Sequence, residues 1–232
     1  AADLLAALKL RVPGLTAFGM GGPRLAEMGV ELVHGAHEIS VMGITEVLPR
    51  LPRIMKVMRE LTLAAQQRRP KVALLVDIPD FNLRLARRLK ALGIRVVWYI
   101  SPMVWAWRPG RVRLIARYVD RMLCILPFEE ACYAGTCVSA RYGGSPVLDQ
   151  VPPPAPPEAF RAQLGLDPRR EVLALLPGSR PGELRRLLPT LAQVGGRLQR
   201  ERPGLQLAVP LAPGIKRELV ESAFVANGAE VR

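Results

Sequence analysis

Short continuous apolar runs alternate along the chain with longer stretches in which apolar residues recur at helical spacing. Lys71–Val76 is almost entirely apolar, which is typical of a strand buried on both faces of a parallel sheet. Apolar residues then recur at helical spacing from Phe81 to Leu92, and Gly93 ends the helix that they predict. Because strands and helices alternate along most of the chain, the sequence predicts an α/β fold with doubly wound, mostly parallel sheets.

The same patterns predict eight strands and eight helices. The strands are Leu15–Met20, Val30–Val33, Lys71–Val76, Ile94–Ile100, Arg121–Leu126, Ser139–Tyr142, Val172–Leu176 and Leu205–Val209. The helices are Pro23–Met28, Leu48–Gln67, Phe81–Leu92, Arg111–Tyr118, Phe128–Tyr133, Ala159–Leu164, Glu183–Gln199 and Ile215–Ala226. We expect Pro49 and Pro52 to interrupt the second of these helices near its start.

A proline-rich stretch divides the chain, because Pro146–Pro157 carries six prolines, which is linker composition. We therefore expect a first α/β domain over 1–148, a linker with a short helix over 149–170, and a second α/β domain over 171–232 that is cut short. The chain begins in a helical run without Met, and it ends where Gly228–Val231 begins to resemble a strand. We expect a piece of a longer protein.

Composition limits the class of protein. Of the 232 residues, 50% are hydrophobic and 23% are charged, which is a globular composition rather than a disordered one. The longest apolar runs are far shorter than the roughly 20 residues of a membrane span, so the sequence predicts no spanning helix. Three cysteines and two histidines argue against a disulfide framework and a zinc site, and they favour reduced thiols in a cytosolic protein.

The net charge of +13 raises the alternative of a nucleic-acid-binding module. Arginine accounts for 28 of the 33 cations, which are spread over many helices, and no RRM, KH, zinc-finger or helix-turn-helix pattern is present. We therefore interpret part of the charge as compositional bias, and we expect no nucleic-acid partner. The cations that we interpret as functional lie within Arg50–Arg59 and Arg108–Arg113 and at Arg180.

Candidate chemistry lies where predicted strands end, because ligands of open α/β sheets bind beyond the carboxyl ends of the strands. Asp77 directly follows the apolar strand Lys71–Val76, where a carboxylate among apolar neighbours is a candidate general base. Asp80 and Asn82 follow, and either could cap the next helix. The alternative is that both aspartates serve only as turn and cap residues.

The loop that begins at Ser101 carries Trp105 and Trp107, followed by Arg108 and two further arginines. Aromatic rings beside arginines suit a sugar face or a lipid head group that carries phosphate. The alternative is a tryptophan pair that closes the core. Another strand end leads to Glu129, in the acidic first turn of a predicted helix. An acidic residue there stabilises the helix through its dipole, whatever the function.

Gly178, Ser179 and Arg180 lie between a predicted strand and a predicted helix. A glycine turn before a helix offers backbone N–H groups and the positive end of the helix dipole, and a hydroxyl and a guanidinium would complete a diphosphate site. The motif is not a P-loop, and an ordinary turn is the alternative.

The segment 41–61 combines an apolar face with interleaved cations, which suits an anionic bilayer surface. The alternative is a helix that packs on the sheet with solvated arginines. The candidate membrane contacts are Val47, Leu48, Leu51, Ile54 and Met55.

Six strings together resemble the family of bacterial lipid-A-disaccharide synthases. They share the family's order and similar spacing over nearly the whole chain. They are Gly19–Arg24, Ser40–Leu48, Asp77–Asn82, Tyr99–Arg108, Leu126–Glu129 and Leu175–Arg180.

The resemblance implies an α/β glycosyltransferase of GT-B type with two Rossmann-like, doubly wound domains, of which the first would lack its first strand and the second would be incomplete. Its donor would be UDP-2,3-diacylglucosamine and its acceptor 2,3-diacylglucosamine 1-phosphate, and the products would be the β-1,6-linked disaccharide 1-phosphate and UDP. The enzyme would be cytoplasmic and peripheral on the inner face of the inner membrane. No metal and no cofactor are expected, and the resemblance allows a homodimer formed through sequence beyond Arg232.

The resemblance also suggests roles for the candidate residues. Asp77 would take the proton from the acceptor hydroxyl in an inverting transfer, and Arg180 would stabilise the departing diphosphate. The expected substrate-binding residues are Asp80, Asn82, Ser101, Trp105, Trp107, Arg108, Glu129, Gly178 and Ser179. The alternatives are another UDP-sugar enzyme of GT-B type, such as a peptidoglycan glucosaminyltransferase or a UDP-GlcNAc 2-epimerase, and a non-catalytic membrane-surface fragment.

Overall fold

The computed structural model describes residues 1–39, 44–154, 156–212 and 214–231, and within 44–50 it describes the backbone alone. The chain divides into two compact units, Ala1–Gln150 and Val151–Arg232.

The first unit alternates helices with strands from its beginning. Its helices are α1 (Ala2–Arg11), α2 (Pro23–Glu27), α3 (Ile44–Arg68), α4 (Pro79–Ala91) and α5 (Arg111–Tyr118). Its strands are β1 (Phe18–Gly21), β2 (Glu31–Gly35), β3 (Val72–Val76), β4 (Arg95–Tyr99), β5 (Arg121–Cys124) and β6 (Ser139–Tyr142). Three 3-10 helices cover Ala36–Glu38, Pro127–Tyr133 and Leu148–Gln150. The second of these covers the helix predicted over Phe128–Tyr133.

The strands of the first unit form two parallel sheets. β1 pairs with β2, and a four-stranded sheet has the order β3-β4-β5-β6. Its register pairs Val76 with Tyr99 and Tyr99 with Leu123, so the strands end level with one another. Because every neighbouring pair is parallel, the carboxyl ends of β3, β4 and β5 share one edge of the sheet. The predicted α/β class and parallel pairing are confirmed.

β3 differs from its prediction as a strand buried on both faces. Val72 and Leu74, on one face, are 51% and 37% exposed, whereas Leu75, on the other, is buried. β3 is the edge strand of the four-stranded sheet, and the described residues cover the face of Leu75 more fully than the face of Val72 and Leu74. The core is centred instead on the inner strands β4 and β5, where Trp98 and Met122 are fully buried.

Several predicted boundaries differ from the structure by one or more residues, and two of these differences have a clear cause. β1 begins at Phe18 rather than Leu15, because its first ladder bond is donated by Glu31 N–H to Ala17 O (3.0 Å). Helix α3 runs from Ile44 through Pro49 and Pro52 without a break, so the two missing N–H groups do not end it.

A buried histidine joins β2 to α3. His34 Nε2 lies 2.6 Å from Glu60 Oε2, and its Nδ1 lies 3.2 Å from both carboxylate oxygens of Glu38. Arg53 of α3 pairs with Glu38 in turn. The pKa of Glu38 is lowered to about 2, chiefly by the hydrogen bond from Gly35 N–H and then by His34 and Arg53, against the opposing effect of desolvation. His34 thus lies between the carboxylates of Glu38 and Glu60, and this cluster links β2 to α3.

The second unit repeats the pattern on a smaller scale. Its helices are α6 (Pro157–Gln163), α7 (Pro181–Glu201) and α8 (Arg217–Val225), and its strands are β7 (Val172–Ala174) and β8 (Gln206–Ala208). The two strands pair in parallel, and Val231 adds an isolated parallel bridge to Leu207. Its own core includes Leu188, Ala192, Leu207 and Phe224.

Two glycines let α7 and α8 approach closely. A Cβ on Gly195 would lie 2.9 Å from Leu207 Cδ1 and 3.0 Å from Phe224 Cε1, and one on Gly196 would collide with the backbone carbonyl of Asn227. Both glycines are buried within α7, where glycine otherwise destabilises a helix. The close contact at this crossing compensates for that cost.

We expect Gly196→Ala to destabilise the second unit by about 1–3 kcal/mol, because a backbone carbonyl cannot move aside as a flexible side chain can. Gly182→Ala, in the first turn of the same helix and with open space around its Cβ, is the matched control. Urea unfolding followed by circular dichroism gives the size of the effect, and hydrogen exchange of α7 and α8 peptides locates it. Equal stability of the two variants would contradict the close contact.

Candidate functional site

Strained backbone marks the ends of β3 and β4. Asp77 and Ile78, directly after β3, have φ values of 52° and 43°, and Ile100, directly after β4, has a φ of 71°. Left-handed backbone is costly for residues other than glycine, by about 1–3 kcal/mol each, and such strain concentrates at functional sites. Three such residues after adjacent strands place the candidate site of the first unit at this edge.

The turn after β3 presents Asp77 to solvent. Asn82, which is buried, donates from Nδ2 to Val76 O (3.1 Å) and to Asp77 O (2.5 Å), so its amide holds the turn from below. Asp77 N–H donates to Tyr99 O (3.3 Å) and extends the ladder by one bond. Within the described part of the chain, the exposed Asp77 carboxylate makes no hydrogen bond or ion pair. The carboxylate is therefore open to direct contact by a ligand.

A buried hydroxyl pair holds the loop after β4. Ser101 Oγ donates to Pro102 O (3.1 Å), which leaves Tyr133 O–H to donate to Ser101 Oγ across 2.9 Å. Both residues are buried, and burial raises the pKa of Tyr133 to about 12, so its phenol keeps its proton near neutral pH. Ser101 thus lies beneath the site and fixes the start of the loop.

The two tryptophans of this loop take different positions. Trp105 packs edge-on against Phe128, with ring centroids 5.3 Å apart. Trp107 is more exposed and lines a cavity of about 310 Å³ together with Asp80 and Arg108. The complete lining is Pro79, Asp80, Pro102, Met103, Val104, Trp107, Arg108 and Arg111. The structure thus brings together three of the predicted substrate-binding residues.

Glu129 lies at the end of β5 but faces inward. Its carboxylate is almost fully buried and accepts hydrogen bonds from the N–H groups of Ile125 and Leu126, both at 3.1 Å. These bonds close the strand end and fix the 3-10 helix that carries Phe128.

The glycine turn of the second unit is occupied by a side chain of the same unit. Glu183 Oε2 accepts hydrogen bonds from Ser179 N–H (2.9 Å) and Arg180 N–H (3.2 Å), and its Oε1 pairs with the Arg180 guanidinium (3.0 Å). The Ser179 N–H is the largest cause of the lowered pKa of Glu183, and Arg180 adds to it. Gly178 has a φ of 101°, and a Cβ there would lie 2.7 Å from Glu183. The arrangement is a capping box that uses amides which we expected to face a diphosphate.

Helix α3 exposes part of the predicted membrane face. Leu51 and Met55 are each 43% exposed, whereas Ile54 is half-buried and packs against the core. The side chains of Val47 and Leu48, and the whole of residues 40–43, lie outside the described residues.

Sequence reasoning missed His34, Tyr133 and Glu183 as supporting residues. Glu183 had a readable signal, because a glutamate three residues after the helix N-cap is half of a capping box. Tyr133 had none, since its partner Ser101 lies 32 residues away in sequence.

Neither a membrane-spanning helix nor a metal-binding group is present among the described residues. No helix there is long and apolar enough to cross a membrane, and no group of three or more histidine, cysteine, aspartate or glutamate side chains is placed to hold a metal ion.

Comparison with known proteins identifies related sequences. Residues 1–231 match the family described as lipid-A-disaccharide synthetase. The lipid-A-disaccharide synthase of Myxococcus xanthus (strain DK1622) is 63% identical over 98% of this chain and 60% of its own length. That of Anaeromyxobacter sp. (strain K) is 56% identical over 98% of this chain and 59% of its own length. The chain spans about 60% of the length of these curated relatives.

Solved structures share the fold at low identity. A putative UDP-N-acetylglucosamine 2-epimerase from Listeria monocytogenes superposes with a TM-score of 0.60 and 11% identity over 97% of this chain and 61% of that chain. The UDP-GlcNAc 2-epimerase from Neisseria meningitidis, bound to UDP-GlcNAc, superposes with a TM-score of 0.52 and 11% identity over 90% of this chain and 58% of that chain. These likenesses concern the fold alone and agree with the predicted GT-B type.

We expect Tyr133→Phe to destabilise the first unit by about 1–3 kcal/mol, because among the described residues it removes the only donor to a buried hydroxyl oxygen while changing little volume. Tyr142→Phe is the matched control, since that ring is exposed and its hydroxyl makes no hydrogen bond to a described residue. Urea unfolding of the two variants beside the parent chain measures the difference. A Tyr133→Phe chain as stable as the control would contradict the role of this hydrogen bond.

Proposed function

The chain belongs to the lipid-A-disaccharide synthetase family, and we propose that it is part of a glycosyltransferase of lipid A biosynthesis. The proposed reaction transfers 2,3-diacylglucosamine from its UDP conjugate to 2,3-diacylglucosamine 1-phosphate, with UDP as the second product. The observation in the molecule that supports this chemistry best is the exposed Asp77 carboxylate on a strained turn, at the sheet edge that also carries the arginine- and tryptophan-lined cavity.

Asp77 is the proposed general base. In an inverting transfer, the acceptor 6-hydroxyl gives its proton to Asp77 while its oxygen forms the new bond to the anomeric carbon. The bond from that carbon to the diphosphate oxygen breaks in the same step, and UDP carries away the electron pair. A base must have a free carboxylate held in a fixed position, and the Asn82 amide beneath the turn holds the backbone at Asp77.

The cavity after β4 is the proposed acceptor site. The exposed ring of Trp107 offers a flat apolar face to a sugar, and Arg108 offers a guanidinium to its phosphate. Asp80 lines the same cavity, and Trp105 supports the loop through Phe128. Asn82, Ser101 and Glu129 contribute to substrate binding indirectly, because each holds the backbone that presents these groups.

Arg180 is the proposed group that stabilises the departing diphosphate, with Gly178 and Ser179 on the same turn. Its guanidinium side chain is 60% exposed, although one of its nitrogens pairs with Glu183. A guanidinium has five donors, so this pair leaves donors for a phosphate. The capping box keeps the turn rigid, which suits recognition of a group of fixed shape.

We place the enzyme at the cytoplasmic face of the inner membrane, where its acylated substrates would lie. Leu51 and Met55 give α3 an exposed apolar surface, and Arg59 lies one turn beyond Met55 on the same side of the helix. An apolar face edged by cations binds anionic bilayers through both burial and charge.

In the full-length protein, we expect Asp77→Asn to lower kcat by about 10²–10⁴-fold, because an amide cannot accept the proton from the acceptor hydroxyl. Binding of both substrates should change little. Disaccharide formation followed by mass spectrometry gives kcat and KM, and Asp3→Asn, at an exposed aspartate in α1, is the control. Near-normal turnover of the Asp77→Asn enzyme would remove the base assignment.

We expect Leu51→Ser to weaken binding of the chain to phosphatidylglycerol-rich vesicles by about fivefold, because an exposed leucine loses the gain from entering the bilayer. Leu63→Ser is the matched control, since Leu63 lies on the same helix and is 46% exposed, outside the predicted membrane face. Co-sedimentation with the vesicles measures both variants. Equal binding by the two would show that this end of α3 is not the membrane contact.

A further inference from the structure

An ion pair crosses the cavity that we assign to the acceptor. Arg111, the first residue of α5, donates from Nη2 to Oδ1 of Asp80, in the first turn of α4. The two residues lie 31 positions apart in sequence, and both line the cavity. The pair therefore depends on the tertiary fold and belongs to the cavity itself.

The partners differ sharply in their exposure. The Arg111 side chain is 18% exposed, whereas that of Asp80 is 76% exposed. The cavity walls have therefore already removed most of the water around Arg111, while the carboxylate keeps most of its hydration. Because the Asp80 carboxylate keeps most of its hydration, a competing anion can displace it from Arg111 at small cost.

The charges of the lining residues favour such an anion. Its cations are Arg108 and Arg111, and its carboxylate is Asp80, which leaves an excess of one positive charge. A guanidinium has five donors, and within the described residues the Arg111 side chain has one hydrogen bond, to Asp80. A phosphate monoester carries more charge than a carboxylate and accepts two parallel hydrogen bonds from arginine.

We propose that Arg111 recognises the phosphate of the acceptor sugar, and that Asp80 is its internal counter-ion, displaced when the phosphate binds. The inference rests on the proposed function, since that function supplies the sugar 1-phosphate. In the free chain, Asp80 keeps Arg111 paired and weakens binding of anions that cannot displace it. In the complex, Arg111 and Arg108 bind the phosphate beside Trp107, and the freed Asp80 is solvated.

The test compares binding of glucosamine 1-phosphate, inorganic phosphate and glucosamine by calorimetry on the 232-residue chain. We expect Asp80→Asn to tighten glucosamine 1-phosphate binding by about three- to tenfold, because it removes the competing carboxylate and keeps the side-chain volume. Arg111→Ala should weaken that binding at least tenfold. Arg111→Lys keeps the charge but loses the paired donors, so its affinity for glucosamine 1-phosphate should lie between that of Arg111→Ala and that of the parent chain.

The double variant Asp80→Asn with Arg111→Ala should show no tightening relative to Arg111→Ala, because the carboxylate competes only for that guanidinium. Asp3→Asn is the charge-matched control, since Asp3 forms an exposed ion pair with Arg24 in the same unit and lines no part of the cavity. Unchanged or weaker binding by Asp80→Asn would overturn the counter-ion role. Equal tightening by Asp3→Asn would overturn it as well, by showing a general effect of charge.

Comparing glucosamine 1-phosphate with inorganic phosphate shows whether the cavity binds a sugar phosphate or any phosphate. Tighter binding of glucosamine 1-phosphate than of inorganic phosphate supports a sugar phosphate site, and equal binding overturns the sugar assignment. Failure of the proposed function has a different signature. Full-length protein that makes no disaccharide, while Asp80→Asn still tightens sugar phosphate binding, would reject the function and keep the counter-ion. Active enzyme in which Asp80→Asn leaves acceptor KM unchanged would reject the counter-ion alone.

Discussion

The parallel hydrogen bonds that pair β3, β4 and β5 level with one another bring three loops to one edge of a sheet. Each loop carries a different chemical group: a carboxylate at Asp77, an indole at Trp107 and a phenyl ring at Phe128. Antiparallel pairing would have sent neighbouring strand ends to opposite edges. The candidate site of the first unit exists because every connection returns the chain to the same starting edge.

Buried polar side chains hold that edge in place. The first unit buries Asn82 after β3, Ser101 after β4 and Glu129 after β5, and each has hydrogen-bond partners in a neighbouring element or turn. A buried polar group that loses its partner costs more than the bond itself contributes, so these contacts fix the loop geometry. The exposed groups Asp77, Trp107 and Arg108 can then be presented to a ligand at little further cost in entropy.

Sequence patterns predicted the order and type of most elements, because apolar periodicity and glycine and proline signals are local. They failed where the answer depends on neighbours distant in sequence. The apolar run at β3 did not show that its strand lies at a sheet edge with Val72 exposed. Asn82 and Glu129 were recognised as residues of interest, but their inward orientation follows from packing. The role of Tyr133 depends on a partner that no spacing rule connects to it.

The three tryptophans make the intrinsic fluorescence of the chain a probe of one unit alone. All of them lie in the first unit, so emission excited at the red edge of indole absorption reports on that unit and is silent about the second. Trp98 is fully buried, and its Nε1–H has no acceptor among the described residues, which is the environment of a blue-shifted emitter. Trp105 and Trp107 are exposed and emit further to the red. Loss of the core therefore changes the emission of Trp98, and occupation of the surface cavity changes that of Trp107.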